Sequence, residues 1–324
     1  MNRRHFLKST GSLLTAGVLT PFASLNAALA AYPNKPVTIL VPFAAGGGAD
    51  ILTRVLADHA RNKRNVPVGV EYRPGAGATI APSQVARAEP DGSTLGLYSV
   101  SPFLTVPHLQ KLSYETPTSF TFIATYAFIP LALYVTTESQ FSDWKSVLNY
   151  ARSNPGKLRW GTSGVRGAAH IAVEAAFRQE GVQTTFVPFT GGAQAITAML
   201  GGHIEAVVSA DYGPHLSAGK VRLLALTGTE KMDGLPALPT FKELRYPLAT
   251  EAIYGLFGPA GLPSEVVSYW ESTIEEMMKT AEFKNVLASI NAGPIYMNSA
   301  QFTANVLQNY KQLGDAIETL GLKK

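Results

Sequence analysis

Along most of the chain, short apolar runs bounded by glycine, proline or acidic turns alternate with stretches whose apolar positions recur at helical spacing. "VTILV" (37–41), "VGVEY" and "TLGLYS" (94–99) read as strands. "ADILTRVLADHA" reads as a helix, with Ile51, Leu52, Val55 and Leu56 on one face, and "TIAPSQVARA" as a shorter one after the turn "RPGAGA". Residues 120–136, "FTFIATYAFIPLALYVT", form two apolar strands broken by Pro130 and read as a passage from one domain into another. A fresh set follows. "SDWKSVLNYARS" is a helix with Ser142 as its expected N-cap, "LRW" a strand, and "AAHIAVEAAFRQEG" a helix ended by Gly181. "TTFVPF", "AQAITAML", "IEAVVS" and "VRLLALT" continue as strand, helix, strand and strand. "AIYGLFGPAGLP" looks like a return crossing, and from Ser264 onward the chain reads as predominantly helical. This alternation predicts an α/β fold with mainly parallel sheets.

Three junctions share one design: a strand, a glycine loop, then a helix. They are "VPFAAGGGADI" (41–51), "WGTSGVRGAAHI" (160–171) and "VPFTGGAQAI" (187–196). A helix start presents amides without internal acceptors and a partial positive charge, and glycine lets a ligand approach the backbone. Each junction is therefore a candidate anion site, although glycine would equally serve a tight turn. Phosphate motifs fit poorly. No glycine is followed by lysine and then serine or threonine, and "GAGATI" puts Ile80 where the last glycine of a dinucleotide loop belongs.

Ser163, His170 and Asp211 are the set closest to a hydrolytic triad, but "GTSGV" lacks the second elbow glycine. His59, His108, His203 and His215 show no close metal-ligand pairing, so neither a metal nor a cofactor is expected. Asp50 has two readings, a first-turn acid favouring the helix dipole or a group that orders water or faces a neutral or cationic part of a ligand. Asp211 has the same two, as a helix N-cap or a ligand-facing acid. Arg166, between Gly164 and Gly167, reads as an exposed side chain or as a bidentate partner for a second carboxylate.

The 324 residues, 46% of them hydrophobic, are enough for two ordinary domains. Residues 1–30 combine a basic start, a modest apolar run interrupted by Pro21, and small residues at "ALA", and read as an export signal cleaved near Ala30. Arg3 and Arg4 resemble the twin-arginine pattern. Removing that segment lowers Lys+Arg from 27 to 24 against 23 acids, so the basic balance is mostly signal and nucleic acid is not an expected partner. The absence of cysteine excludes disulfides, thiolate metal sites and a cysteine nucleophile.

Several stretches carry a family likeness: "YPNKPVTILVPFAAGGGADILTRVLA", "VEYRPGAGATIAPSQVARAEPDGSTL", "WGTSGVRGAAHIAVEAAF", "VPFTGGAQAITAMLGGHIEAVVSADYGPHLSAGKVRLLALT" and "GLFGPAGLPSEVV". In this order they resemble the solute-binding proteins of tripartite tricarboxylate transporters, the Bug (TctC-like) family. The resemblance implies a type II periplasmic binding protein fold, with two α/β domains having mainly parallel central sheets and joined by two crossing strands. Domain 1 would comprise residues 31–130 and 253–324, and domain 2 residues 131–252, closing about crossings near residues 130 and 252. It implies a protein that captures a small organic acid and delivers it to a membrane permease, and a monomer is expected. The matching site positions are Phe43, Ala45, Gly46, Gly47, Gly48 and Asp50, then Thr162, Ser163, Gly164, Arg166, Gly167 and His170, then Phe189, Thr190, Gly191 and Gly192. Ser99 and Asp211 join them from neighbouring loops. A periplasmic hydrolase using Ser163 and His170, or a sensor subunit, are the alternatives.

Overall fold

The strand segments assemble into two separate sheets, and the helices that follow the strands cover them. The computed structural model describes residues 32–229, 231, 232, 234, 235 and 237–322; the expected export segment lies outside these residues. The first stretch runs β1 (Val37–Val41), α1 (Gly48–Arg64), β2 (Val68–Tyr72), α2 (Ile80–Val85), β3 (Thr94–Tyr98), α3 (Val106–Leu109) and β4 (Phe120–Ile129). The second runs β5 (Ala132–Thr136), α4 (Trp144–Ser153), β6 (Arg159–Thr162), α5 (Ala168–Gln179), β7 (Thr185–Pro188), α6 (Gly192–Leu200), β8 (Ala206–Ser209), α7 (Gly213–Ser217) and β9 (Val221–Leu226). The chain then returns through β10 (Ala252–Pro259), α8 (Ser264–Lys279), α9 (Ala281–Ser289), β11 (Gly293–Met297) and α10 (Ser299–Thr319).

One sheet has the order β11-β4-β10-β3-β1-β2 and the other β7-β6-β8-β5-β9. β1 is parallel to β2 and β3, and β6 is parallel to β7 and β8. β10 is antiparallel to β3 and β4, and β5 is antiparallel to β8 and β9, so both sheets are mixed rather than mainly parallel. The two passages between sheets explain this. Pro130 has no N–H for a ladder, so one long apolar run divides into β4 and β5 in different sheets.

Local chemistry sets the helix ends. Leu52, Val55, Leu56 and Ala60 bury one face of α1, and Asn65 ends it at φ 54 with its N–H on the Ala60 carbonyl. Asp143, not Ser142, caps α4: its carboxylate accepts from the Ser146 N–H while the Ser146 hydroxyl accepts from the Asp143 N–H. The C-terminal part is helical except for β11, whose short "GPIYM" run lies between helices. Pro102 and Pro107, which look like breakers in sequence, sit in first turns, of a π-helical segment over Ser101–Thr105 and of α3.

Aromatic packing fills the first sheet's core, where Phe103 lies 4.9 Å from Tyr98 and 4.8 Å from Phe257 between ring centroids. Trp160 and Trp144 flank Phe177 in the second, at 5.7 and 5.5 Å. The two passages are tied side by side: the Thr227 N–H donates to the Leu131 carbonyl and the Thr250 N–H to the Thr227 carbonyl, both at 2.8 Å. These bonds fix where Leu131, Glu251 and Ala252 sit between the sheets. β10 leaves no room at Gly255, where a Cβ would lie 2.6 Å from the Ala124 carbonyl oxygen. Gly255→Ala should therefore destabilise the protein by about 1–3 kcal/mol in urea denaturation. A variant with the wild-type midpoint would contradict this packing.

Candidate ligand-binding site

The three glycine junctions become the starts of α1, α5 and α6, whose N-cap residues are Gly47, Gly167 and Gly191. Glycine has no side chain with which to cap its own helix, so first-turn amides must find acceptors elsewhere. For two helices the acceptor comes from the part of the chain that belongs to the other sheet. The Gly48 N–H of α1 donates to Asp211 Oδ1 at 2.8 Å, from the loop after β8. The Ala168 N–H of α5 donates to Ser101 Oγ at 2.9 Å, from the segment after β3. No side-chain acceptor reaches the first-turn amides of Gly192 and Ala193 in α6 among the described residues.

All three starts line one narrow cleft. Phe43, Gly47 and Ala49 come from the first junction, Ser163, Ala168 and Ala169 from the second, and Gly191, Gly192 and Ala193 from the third. Ser99, Leu131, Asp211, Glu251 and Tyr254 complete much of the wall. Ser99 Oγ and Thr162 Oγ1 are buried without a hydrogen-bond partner. Ser99 faces this cleft and Thr162 a contiguous space of about 230 Å³ that also holds Gly164 and Gly167. An unpartnered buried hydroxyl is costly, and the one on Ser99 borders this cleft, where a polar guest would supply its partner.

The other sequence-predicted residues divide clearly. Arg166, Phe189 and Thr190 line a neighbouring groove of about 1020 Å³ together with Gly164 and Val165. Arg166 adopts φ 61 and donates to the Leu109 carbonyl at 3.4 Å, so it bridges to the segment before β4 and does not line the cleft. Gly46 and Gly48 border a cavity of about 140 Å³ behind Asp211. Ala45 lines none of these spaces, and Ala44 faces the cleft in its place.

Asp50 is turned inward. Its carboxylate accepts from the Gly46 N–H at 2.8 Å, from Arg54 Nε at 2.6 Å and from the Tyr72 hydroxyl at 2.6 Å. It holds Gly46 at φ 94, a left-handed conformation that glycine tolerates without cost, and thereby shapes the loop rather than facing the cleft. His170 does similar work on the second junction. Its Nδ1 accepts from the Arg166 N–H at 2.9 Å and its ring stacks on Phe186 at 3.8 Å between centroids. Burial, with Arg166 nearby, pushes its pKa down to about 4. A neutral ring with Nδ1 accepting carries its proton on Nε2.

Asp211 does not cap its own helix, α7; it caps α1. Its N–H also donates to Ser209 Oγ, which is 2.7 Å from the Tyr134 hydroxyl. The carboxylate lies deep but opens in part on the cleft. Desolvation raises its pKa, opposed by the Gly48 N–H, the Ser209 hydroxyl and the charge of His215.

Residues 52–322 match the family model described as "Tripartite tricarboxylate transporter family receptor". The chain belongs to this family. A relative from Cupriavidus necator, the "UPF0065 protein in gbd 5'region", is 30% identical over 326 residues, covering 100% of this chain and 99% of the relative. The solved structure of "periplasmic binding protein BugD" is similar with a TM-score of 0.81 at 27% identity, covering 90% of this chain and 100% of that one. "R. palustris Rpa4515 with adipate" is similar with a TM-score of 0.81 at 26% identity, covering 90% and 98%. These likenesses accord with the mixed two-sheet α/β architecture of the receptor.

Ser101, Glu251 and Tyr254 were not anticipated in sequence. Ser101 lies beside a proline that reads as a breaker, and Glu251 and Tyr254 reach the cleft only through the return crossing. The His170 clasp yields a pH test. Its pKa is lowered on folding, so the stability it contributes is fully present above the ordinary value of 6.5 and is lost as pH falls toward about 4. His170→Gln should show a shallower fall in urea midpoint between those pH values than wild type. An identical acid slope in both proteins would contradict the assignment.

Proposed function

We propose that this receptor captures a small carboxylate-bearing organic acid in the cleft between its two sheets and delivers it to a tripartite tricarboxylate-type membrane permease, without chemistry of its own. The observation that carries the reading is the uncapped start of α6 facing a cleft with the buried, unpartnered hydroxyls of Ser99 and Thr162 close by. Amides of Gly192 and Ala193, together with hydroxyls of Ser99, Thr162 and Ser163, are the donors we assign to the carboxylate. Hydrogen bonds to a charged group contribute about 1.5–3 kcal/mol each, and micromolar affinity requires only about 8 kcal/mol, so such a set needs no arginine. That a similar structure carries adipate supports the same ligand class.

The receptor's two lobes in this reading are residues 31–130 with 253–324, and residues 131–252. They close by a hinge at the passages near residues 130 and 252, where the paired Thr227, Thr250 and Leu131 backbone groups hold the two strands together. Export by the twin-arginine route, cleavage near Ala30 and a monomeric state complete the proposal, and its periplasmic location is supported by the likeness to a periplasmic binding protein. A hydrolase built on Ser163 and His170 is disfavoured, because His170 Nδ1 is engaged by the Arg166 N–H and the ring lies flat on Phe186. A sensor subunit would use the same cleft.

A melting-temperature screen against mono-, di- and tricarboxylates, amino acids, sugars and nucleotides tests the ligand class. A ligand at a hundred times its dissociation constant stabilises by about 2.7 kcal/mol. Ser99→Ala should leave the unliganded melting temperature unchanged or raised, since it deletes an unpartnered hydroxyl, yet weaken the acid found by about ten-fold. Stabilisation by a sugar or nucleotide and by no acid would refute the reading, and so would wild-type affinity in the Ser99 variant.

A further inference from the structure

We propose that Asp211 is a specificity-determining residue that restricts the cleft to ligands with one carboxylate and no second anionic group. The inference rests on the carboxylate reading above and adds the ligand's charge to it. Asp211 extends from the loop after β8, and its Oδ1 accepts the Gly48 N–H at 2.8 Å from the opposite sheet's first helix. Its Oδ2 lies against the third junction, where a Cβ on Gly192 would be 1.6 Å away. One carboxylate of the protein therefore sits between the starts of α1 and α6, with part of its surface on the cleft.

This placement sets a fixed carboxylate beside two of the three apparent anion positions. A helix start carries roughly half a positive charge. At α1 the Gly48 N–H is taken by Asp211 and at α5 the Ala168 N–H by Ser101, leaving one fewer amide at each of these starts than at α6. At α6 neither the Gly192 nor the Ala193 N–H has a side-chain acceptor among the described residues, and we assign the one guest carboxylate to these amides with the Ser99 hydroxyl, which offset the Asp211 charge beside Gly192. A second carboxylate meets a wall on which, among the described residues, Asp211 and Glu251 are the charged side chains and no lysine, arginine or histidine is present. Arg166, the cation expected to hold a second carboxylate, lines the separate groove and donates to the Leu109 carbonyl. Like charges in a site of reduced dielectric repel strongly, so the second anionic group is disfavoured by Asp211 itself. Rpa4515 from R. palustris was solved with adipate, so the inference sets this chain apart from that relative.

Isothermal titration of the full chain at about pH 7.5 with chain-matched pairs decides it: butyrate and succinate, hexanoate and adipate, octanoate and suberate. The expected result is a monoacid at least about ten-fold tighter than its diacid in each pair that binds. Asp211→Asn keeps an oxygen acceptor for the Gly48 N–H and removes the charge, and should cut that preference at least about five-fold. A diacid bound more tightly by wild type overturns the inference, whether or not the variant folds. An unchanged ratio in a variant with a wild-type circular dichroism spectrum overturns it as well. Binding of no acid in either class would instead bring down the carboxylate reading, and this inference with it.

Discussion

A backbone amide in the first turn of a helix has no acceptor within that helix, and in this receptor the rest of the cleft follows from where those acceptors are found. Glycine at all three N-caps leaves the amides bare. Asp211 answers α1 from the second sheet's side, and Ser101 answers α5 from the first sheet's side. Each sheet's helix is thus completed by the other part of the chain, which makes the approach of the two parts a matter of hydrogen bonding as well as packing. Removing these contacts would leave an amide start uncovered on one side and a desolvated carboxylate on the other, and both are unfavourable. The third start, at α6, is where the proposed ligand provides the missing acceptor.

The loops themselves are held by side chains that do not face the cleft. Asp50 gathers the Gly46 N–H, Arg54 and Tyr72, and His170 holds the Arg166 N–H while stacking on Phe186. Their work is to fix two glycine-rich backbones that would otherwise sample many conformations. Preorganised amides lose less entropy when a ligand binds, so in the proposed function residues one layer behind the cleft would aid affinity without touching the guest.

Much of this was legible in sequence. Periodicity located nearly every strand and the long helices, and the three strand, glycine and helix junctions pointed to helix starts that do meet at one cleft. Strand direction was not legible, because a return crossing such as β10 reads locally like any apolar strand and only its pairing with β3 and β4 reveals it as antiparallel. β11 was hidden between helices by its brevity. Asp211 was weighed as the cap of its own helix, and sequence proximity offered no sign that it caps a helix 163 positions away. Arg166 drew attention by standing between glycines, yet its left-handed backbone and its bond to Leu109 turn it toward the groove outside the cleft. Ser101 was concealed by the proline next to it.

The central claim is that a ligand carboxylate completes the start of α6. The most direct measurement is the amide proton and nitrogen chemical shift of Gly192 and Ala193 during titration with the acid that stabilises the protein best. The account predicts that both amide protons move downfield as they acquire a charged acceptor, saturating at the dissociation constant found by calorimetry. Saturable binding that leaves Gly192 and Ala193 unmoved, with shifts confined to the Arg166 groove or to the α10 side of the molecule, would contradict it.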